Sequence, residues 1–387
     1  MNMLKKVAFL FHDTDFYSGG TRSLLDLLET FRLKNQMEIC AVVPYNSGSA
    51  IEYLKELKIE IVISEYYQIA TRTDEGFLRK IYRFPIRLKN NIKNICNAEA
   101  LAEELTRRNV NIVYSNTGFI ITGALIKKKN PHMVHIWHLR EFGEEDHHFG
   151  IFFGRRLYYK ILNKYTDCVI LISDALANKY RDHITVPYTI VHDDVSSTYY
   201  IENMDEYRKG ERLSILIAGL ICEGKGQREV IEAAGILREK GIPFKLYIAG
   251  GSVSRKYMET LRRIVEARKL SDSVKFLGVV KDMNCLRSRV KFGVVASASE
   301  AFGRVTIEGM LGGLLMIGAD VGGTKELIDD GKTGFLYPHG DYEALAEVLI
   351  RLYRSPDCIN EIRKNGKKYA QRYTNGACAK EIAKLLI

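Results

Sequence analysis

Twice in succession within residues 292–337, an apolar run ends in a glycine-containing break and reopens as a helical pattern, and this doubled unit constrains the fold more than any other stretch. In the first copy, 292–296 reads as a strand and 300–303 as the break. Val305, Ile307 or Glu308, and Leu311 then begin a helical spacing. In the second, 315–318 is the strand, Asp320-Val321-Gly322-Gly323 the turn, and a short helix is predicted from Thr324 with its hydroxyl as the cap. A glycine turn that feeds a helix leaves backbone N–H groups unsatisfied, with the positive end of the helix dipole behind them. Such a turn suits a diphosphate, and Gly303 lets the backbone approach closely. Two side by side form a cradle for an anion.

Glu300 falls in the first break and Glu308 on the helix that follows. Carboxylates repel phosphate, so their expected partners are the neutral hydroxyls of the same ligand, such as the vicinal diol of a ribose. Taken alone, two glutamates at this spacing read more readily as a loop charge and a solvated helix face than as ligand-binding groups.

The residues EAFGRVTIE, followed by GGTKEL and DGKTGFLY, resemble the donor site of the retaining glycosyltransferases of family 4, which have the GT-B fold. The match is close over 215–337 and looser before it. The resemblance implies an α/β chain of two Rossmann-like domains facing a central cleft. It implies further that Glu308 holds the ribose of a nucleotide sugar, that Glu300 contacts the sugar, and that the Phe302-Gly303 backbone meets the diphosphate. Gly323 and Thr324 belong to the second turn of that cradle. In GLICEGKGQREV the family's turn begins at Gly219 and its second cation falls on Lys225, followed by Gly226. Leu220 stands where the family has an arginine, and Arg304 is the nearest substitute. Lys225 is implied as the group that holds the departing diphosphate.

The first half alternates apolar runs with helical patterns, which means a parallel sheet covered by helices. In FYSGGTRSLLDLL, Gly19-Gly20 precede a helix. A plain helix start accounts for them as well as the family's glycine pair on the acceptor side does. HIWHLREFGEEDHH gathers four histidines, but a mixed-charge loop supplies proximity without a common face, so no metal is expected. The segment resembles the family's W-H-x-R-E loop bordering the cleft. His138 matches the histidine that contacts the transferred sugar, and Arg140 and Glu141 complete the pattern on the acceptor side. His12-Asp13-Thr14-Asp15 contains Asp-x-Asp directly after the first strand, the wrong place for a metal site of another glycosyltransferase fold. Asp193-Asp194 replace the family's Asn-Gly, and an altered turn is expected there.

Residues 76–95, GFLRKIYRFPIRLKNNIKNI, carry six basic residues and no acidic one. Phe77, Ile81, Phe84, Leu88 and Ile92 fall on one helical face, with Pro85 predicting a kink or two short helices. Two readings stand: a basic amphipathic segment lying on an anionic membrane, or a helix pair with a solvated rim. FFGRRLYYKILNKY, 152–165, has a similar make-up and favours the membrane. The net charge of +10 asks for an anionic partner, and nucleic acid, anionic lipid and phosphate-bearing substrates all qualify; nucleic acid ranks last because no recognised module for it is found.

The 387 residues suffice for two domains. They are expected over 1–195 and 213–373, with a polar linker at 196–212 and the last helix, 374–387, packing back on the first. The seven cysteines lack metal or disulfide spacing and suit a reducing compartment. The amino-terminal apolar run is broken by His12 and Asp13, so a buried strand is expected there rather than a signal peptide, and no segment is expected to cross a bilayer. Together with these features, the resemblance implies a cytoplasmic, metal-independent hexosyltransferase without a cofactor, peripheral on the inner face of the membrane. Its donor is a nucleoside-diphosphate sugar such as a UDP-sugar, its acceptor a glycan or lipid-linked saccharide, and its setting polysaccharide synthesis. A silent nucleotide-sugar binder, or an epimerase or hydrolase on the same fold, is the alternative.

Overall fold

The computed structural model describes residues 5–386 apart from 17, 35–36, 148 and 253, and apart from the side chains at 146 and 147. The chain divides into two compact units, 1–194 with 376–387, and 195–375.

The first unit is built on β1 (Lys6–Leu10), β2 (Glu38–Val43), β3 (Glu60–Ile63), β4 (Ala70–Arg72), β5 (Ile112–Ser115), β6 (Val134–Leu139), β7 (Phe149–Ile151), β8 (Cys168–Leu171) and β9 (Tyr188–Ile190). Seven of these form a parallel sheet in the order β3-β2-β1-β5-β6-β8-β9, and β4 pairs antiparallel with β7. The strands are continuous apolar runs because both faces are covered. Val7 and Phe9 point into one core with Leu24, Leu28 and Phe31 of helix Gly19–Lys34 and with Cys378, Ala379 and Ile382 of helix Ala377–Leu386. Ala8 and Leu10 point into the other, with Leu101, Ala102 and Leu105 of helix Phe77–Arg107.

Pro85 neither splits nor ends that last helix, which runs unbroken over 31 residues. The two-helix alternative fails for two reasons. Pro85 is exposed, so the carbonyl of Ile81 that loses its partner is left on a water-facing side. Glu75 also bonds Arg83 at 2.5 Å and Arg87 at 2.8 Å, holding the turns on either side of the proline together.

The second unit repeats the plan with β10 (Leu213–Ala218), β11 (Phe244–Ala249), β12 (Val274–Gly278), β13 (Phe292–Val295), β14 (Leu315–Ala319) and β15 (Gly334–Tyr337). Its sheet is parallel in the order β12-β11-β10-β13-β14-β15. Residues 196–212 lie against this unit. Ile201 N–H donates to the Leu311 carbonyl, and Lys367 reaches the carbonyls of Ile201 and Glu202 while its ammonium sits 4.1 Å from the Tyr200 ring centroid. Strand order reverses between β1 and β5 in one sheet and between β10 and β13 in the other. Crevices beyond the carboxyl ends of strands at such reversals are where open α/β sheets bind ligands.

Candidate functional site

At the reversal in the second unit, β10 runs through Gly219, whose N–H bonds the Ala249 carbonyl, into a tight turn over Glu223–Lys225. Gly226 follows at φ 70° and opens helix Gln227–Glu239. Any Cβ here would overlap the Ala296 carbonyl, so a glycine is what lets this turn lie against the end of β13. Ala298 N–H to the Gly224 carbonyl, 3.0 Å, ties the two loops. Lys225 Nζ then reaches Glu300 Oε1 at 2.6 Å, and Ser297 Oγ donates to the same oxygen at 2.7 Å. Lys225 was expected as a cation for the diphosphate; here it is ion-paired with the carboxylate expected to meet the sugar.

The two glycine turns abut. Gly323 N–H donates to the Glu300 carbonyl at 2.7 Å, and a Cβ at Gly323 would overlap the Phe302 carbonyl. Gly303, at φ 94°, occupies the N-cap position of helix Arg304–Leu311 without a side-chain cap, so Arg304 opens that helix. The Phe302 ring is buried edge-on against Tyr373 at 5.7 Å, which leaves its backbone as the part that faces the turn. Thr324 is not the cap expected of it. Helix Gly322–Leu327 begins two residues earlier, with Val321 at its N-cap position, because the Gly323 amide is already held by Glu300. The Thr324 hydroxyl is buried without a hydrogen-bond partner, as is that of Thr306, and both lie within 4 Å of where a Cβ on Gly303 would sit. Leaving a buried hydroxyl unpaired costs about 1–3 kcal/mol.

Glu308 also has a cation. Arg287 Nη2 donates to its Oε2 at 2.6 Å, with the arginine side chain 3% exposed and the glutamate 15%. Sequence reasoning missed Arg287, which reads as one more basic residue in KDMNCLRSR. No signal in that segment marks it as buried. Leu220, in place of the family's arginine, is an exposed leucine at the end of β10.

In the first unit, the reversal gathers another polar group. His12 Nε2 lies 2.9 Å from Asp13 Oδ2 and 3.2 Å from Ser18 Oγ, and Thr21 Oγ1 donates to Asp13 Oδ1. Burial raises the Asp13 carboxyl, but the contacts with His12, Thr21 and Ser18 together outweigh it and the net direction is down. Gly19 and Gly20 open helix Gly19–Lys34; the Gly20 carbonyl accepts from Asn116 Nδ2 at 2.8 Å, and a Cβ on Gly20 would press on the His12 ring. Arg140 Nε donates to Asn116 Oδ1 at 2.8 Å, and its Nη1 reaches Asp193 Oδ1 at 2.5 Å and Oδ2 at 2.6 Å. Glu141 Oε2 accepts from the Gly118 N–H at 3.2 Å.

His138, on β6, has no exposed surface. Its Nδ1 lies 2.5 Å from Tyr114 Oη and its Nε2 has no partner. Burial, reinforced by the Arg140 charge, pushes its pKa well below the usual histidine value, so the ring is neutral. His135 and His138 are three residues apart on one strand and point to opposite faces, and His135 bonds Ser115 and the Tyr165 carbonyl, so they share no metal. The side chain of His147, and His148 altogether, lie outside the described residues.

The altered turn expected at Asp193-Asp194 is absent. Residues 191–196 are extended or irregular because both aspartates are pinned, Asp193 by Arg140 and Asp194 by the Ala379 N–H at 3.3 Å.

Residues 201–372 match the family described as Glycosyl transferases group 1. The putative glycosyltransferase EpsD of Bacillus subtilis is 33% identical over 161 residues, 41% of each chain. The capsular polysaccharide biosynthesis glycosyltransferase CapM of Staphylococcus aureus is 28% identical over 170 residues, 42% of this chain and 43% of that one. The chain thus spans less than half the length of either relative. Over 99% of both chains it superposes on Anabaena HepE in complex with UDP, with a TM-score of 0.77 at 17% identity. Two doubly wound parallel sheets and the similarity of fold over 99% of both chains give this chain the GT-B fold, and its residues 201–372 match the glycosyl transferases group 1 family.

Proposed function

We propose that the chain transfers a sugar, with retention, from a nucleoside-diphosphate sugar to a glycan or lipid-linked saccharide, with the donor in the second unit and acceptor contacts in the first. The observation that carries this is the pairing of both switch-point carboxylates with cations, Glu300 with Lys225 and Glu308 with Arg287, beside two abutting glycine turns that open helices. That combination suits a ligand with hydroxyls at both ends and charge in the middle. HepE has been solved with UDP, with UDP-glucose, and with UDP and glucose, which favours uridine as the base. The printed name of CapM favours a polysaccharide acceptor.

In this reading Glu308 accepts hydrogen bonds from the ribose diol. The Gly303 and Gly323 turns and Arg304 face the diphosphate, and Glu300 faces the sugar. As the bond from the anomeric carbon to the diphosphate oxygen breaks, negative charge grows on that oxygen beside Lys225, which is where a fixed cation lowers the barrier. The acceptor hydroxyl attacks the anomeric carbon from the same face, and its proton passes to the departing phosphate oxygen. The unpartnered Nε2 of His138 and the unpartnered Nη2 donor of Arg140 are buried polar atoms of the kind a sugar hydroxyl, which both donates and accepts, satisfies. No step uses a metal.

The acceptor's lipid link is supported by helix Phe77–Arg107. At its amino-terminal end Phe77, Leu78 and Tyr82 are 76%, 81% and 77% exposed beside the exposed Arg79 and Lys80. Phe84 meets Phe152 at 5.4 Å, joining this face to the segment that leads into the exposed Arg155, Arg156, Lys160 and Lys164. We assign this face to an anionic membrane surface. No described helix is long and apolar enough to cross a membrane.

The exposed Leu220 favours a competing reading, a nucleotide-sugar binder without turnover. Release of nucleoside diphosphate from a panel of nucleotide sugars, with and without a glycolipid extract, separates the two. Acceptor-dependent release that persists with a chelator and falls in Lys225→Ala more than donor binding does is the expected result. Donor binding without acceptor-dependent release anywhere in the panel rejects transfer.

A further inference from the structure

We infer that Arg287 is a positioning residue that sets the orientation of the Glu308 carboxylate and thereby makes the site select ribose over 2′-deoxyribose. This rests on the reading of Glu308 as the acceptor for a ribose diol.

The pair is asymmetric. Arg287 is closed off at 3% exposure while Glu308 keeps 15%, so the carboxylate faces outward and the guanidinium backs it. The arginine itself is held from several sides. Its guanidinium carbon lies 4.9 Å from the Tyr199 ring centroid. Its stem passes so close to Gly312 that a Cβ there would approach Arg287 Cδ to 2.8 Å, and Asn284, on the same helix Met283–Ser288, bonds the Thr198 carbonyl at 2.6 Å. A buried arginine needs a carboxylate partner, and a planar guanidinium locked in this way fixes the plane of the carboxylate it touches.

A carboxylate has about four acceptor positions. Arg287 takes one on Oε2, and the rest stay available to a diol. Two neighbouring hydroxyls can both be met only if the carboxylate lies in one particular plane, and without Arg287 the glutamate has rotamers that present one oxygen instead of two. The positive charge also offsets the repulsion between Glu308 and a diphosphate bound to the adjacent turns. Neither effect acts on the reacting bond, so Arg287 should alter donor affinity and leave turnover at saturating donor nearly intact.

The test measures, by calorimetry, the affinity of the full chain for uridine diphosphate and for 2′-deoxyuridine diphosphate. The wild type should prefer the ribose form by about ten-fold or more, near the lower end expected for a hydrogen bond to a charged group. Arg287→Met, which keeps the stem beside Gly312, should weaken both forms through the lost charge but the ribose form more, bringing the ratio close to one. Glu308→Gln should also bring the ratio close to one, and the double variant should be no worse than either alone. If Arg287→Met does not fold, Arg287→Lys, which keeps the charge without the fork, should still reduce the ratio. A folded Arg287 variant that keeps the wild-type ratio overturns the proposal. A wild type that binds both nucleotides equally overturns the ribose reading of Glu308 itself.

Discussion

Asp194 shows how one side chain can tie a chain end to a sheet. It accepts from the Ala379 amide at the start of helix Ala377–Leu386, beside the buried Asp193–Arg140 pair. Burial raises its carboxyl, the Ala379 amide lowers it, Asp193 raises it further, and the result is about 6. An unfolded aspartate titrates near about pH 4. Between those values the folded chain holds a proton that the unfolded chain has released, so this group's stabilisation is full below about pH 4 and is lost as pH rises through 6. Subtracting the thermal midpoint of Asp194→Asn from that of the wild type at each pH should give a difference that falls across this window. A flat difference would show that Asp194 is not held as described. The residues differ in how legible they were. Gly303 and Gly323 announce themselves because tight backbone approach needs glycine, and Glu300 and Glu308 because carboxylates in a phosphate cradle call for an explanation. Arg287 had no such mark, since its burial depends on the room left by Gly312, twenty-five positions away in sequence. The Asp193–Arg140 pair was hidden for the same reason.

Among the elements, helix Phe77–Arg107 is the one whose sequence and structure differ most. The period of its apolar residues was readable, and so was its basic rim. Its continuity through Pro85 was not, because the clamp from Glu75 to Arg83 and Arg87 is a tertiary contact. The helix buries Leu101, Ala102 and Leu105 near its carboxyl end and exposes its apolar residues near the other, so its amino-terminal half has no partner within the first unit's core. Vesicles containing anionic lipid should therefore retain the protein at low salt and release it as salt rises, since each exposed lysine or arginine near the surface contributes about 1 kcal/mol and is screened. Replacing Leu78 and Tyr82 with serine should weaken retention without lowering thermal stability, because neither is buried. Equal failure to bind neutral and anionic vesicles would mean that this face is only solvated.

At the scale of the whole molecule, parallel sheets under helical cover followed directly from the alternation of apolar runs with helical patterns. Strand order did not, because it is fixed by pairings between segments far apart in the chain. β1, for example, takes β5 as a neighbour across more than a hundred residues. That order is what gives the second unit its switch point and places Lys225, Glu300, Gly303 and Gly323 around it, and it supplies a reason for a ligand there that is independent of the motif. The central claim is that this point holds a nucleoside diphosphate whose ribose rests on Glu308. Calorimetric titration of uridine, guanosine and adenosine diphosphates into the wild type and into Glu308→Gln tests it most directly. Saturable binding of at least one of them is expected, uridine diphosphate foremost, weakened by about 1.5–3 kcal/mol in the variant, or roughly ten-fold to a hundred-fold in affinity, at a temperature where the variant, destabilised by the loss of Arg287's partner, is still folded. Binding of equal strength to the wild type and the folded variant would contradict it.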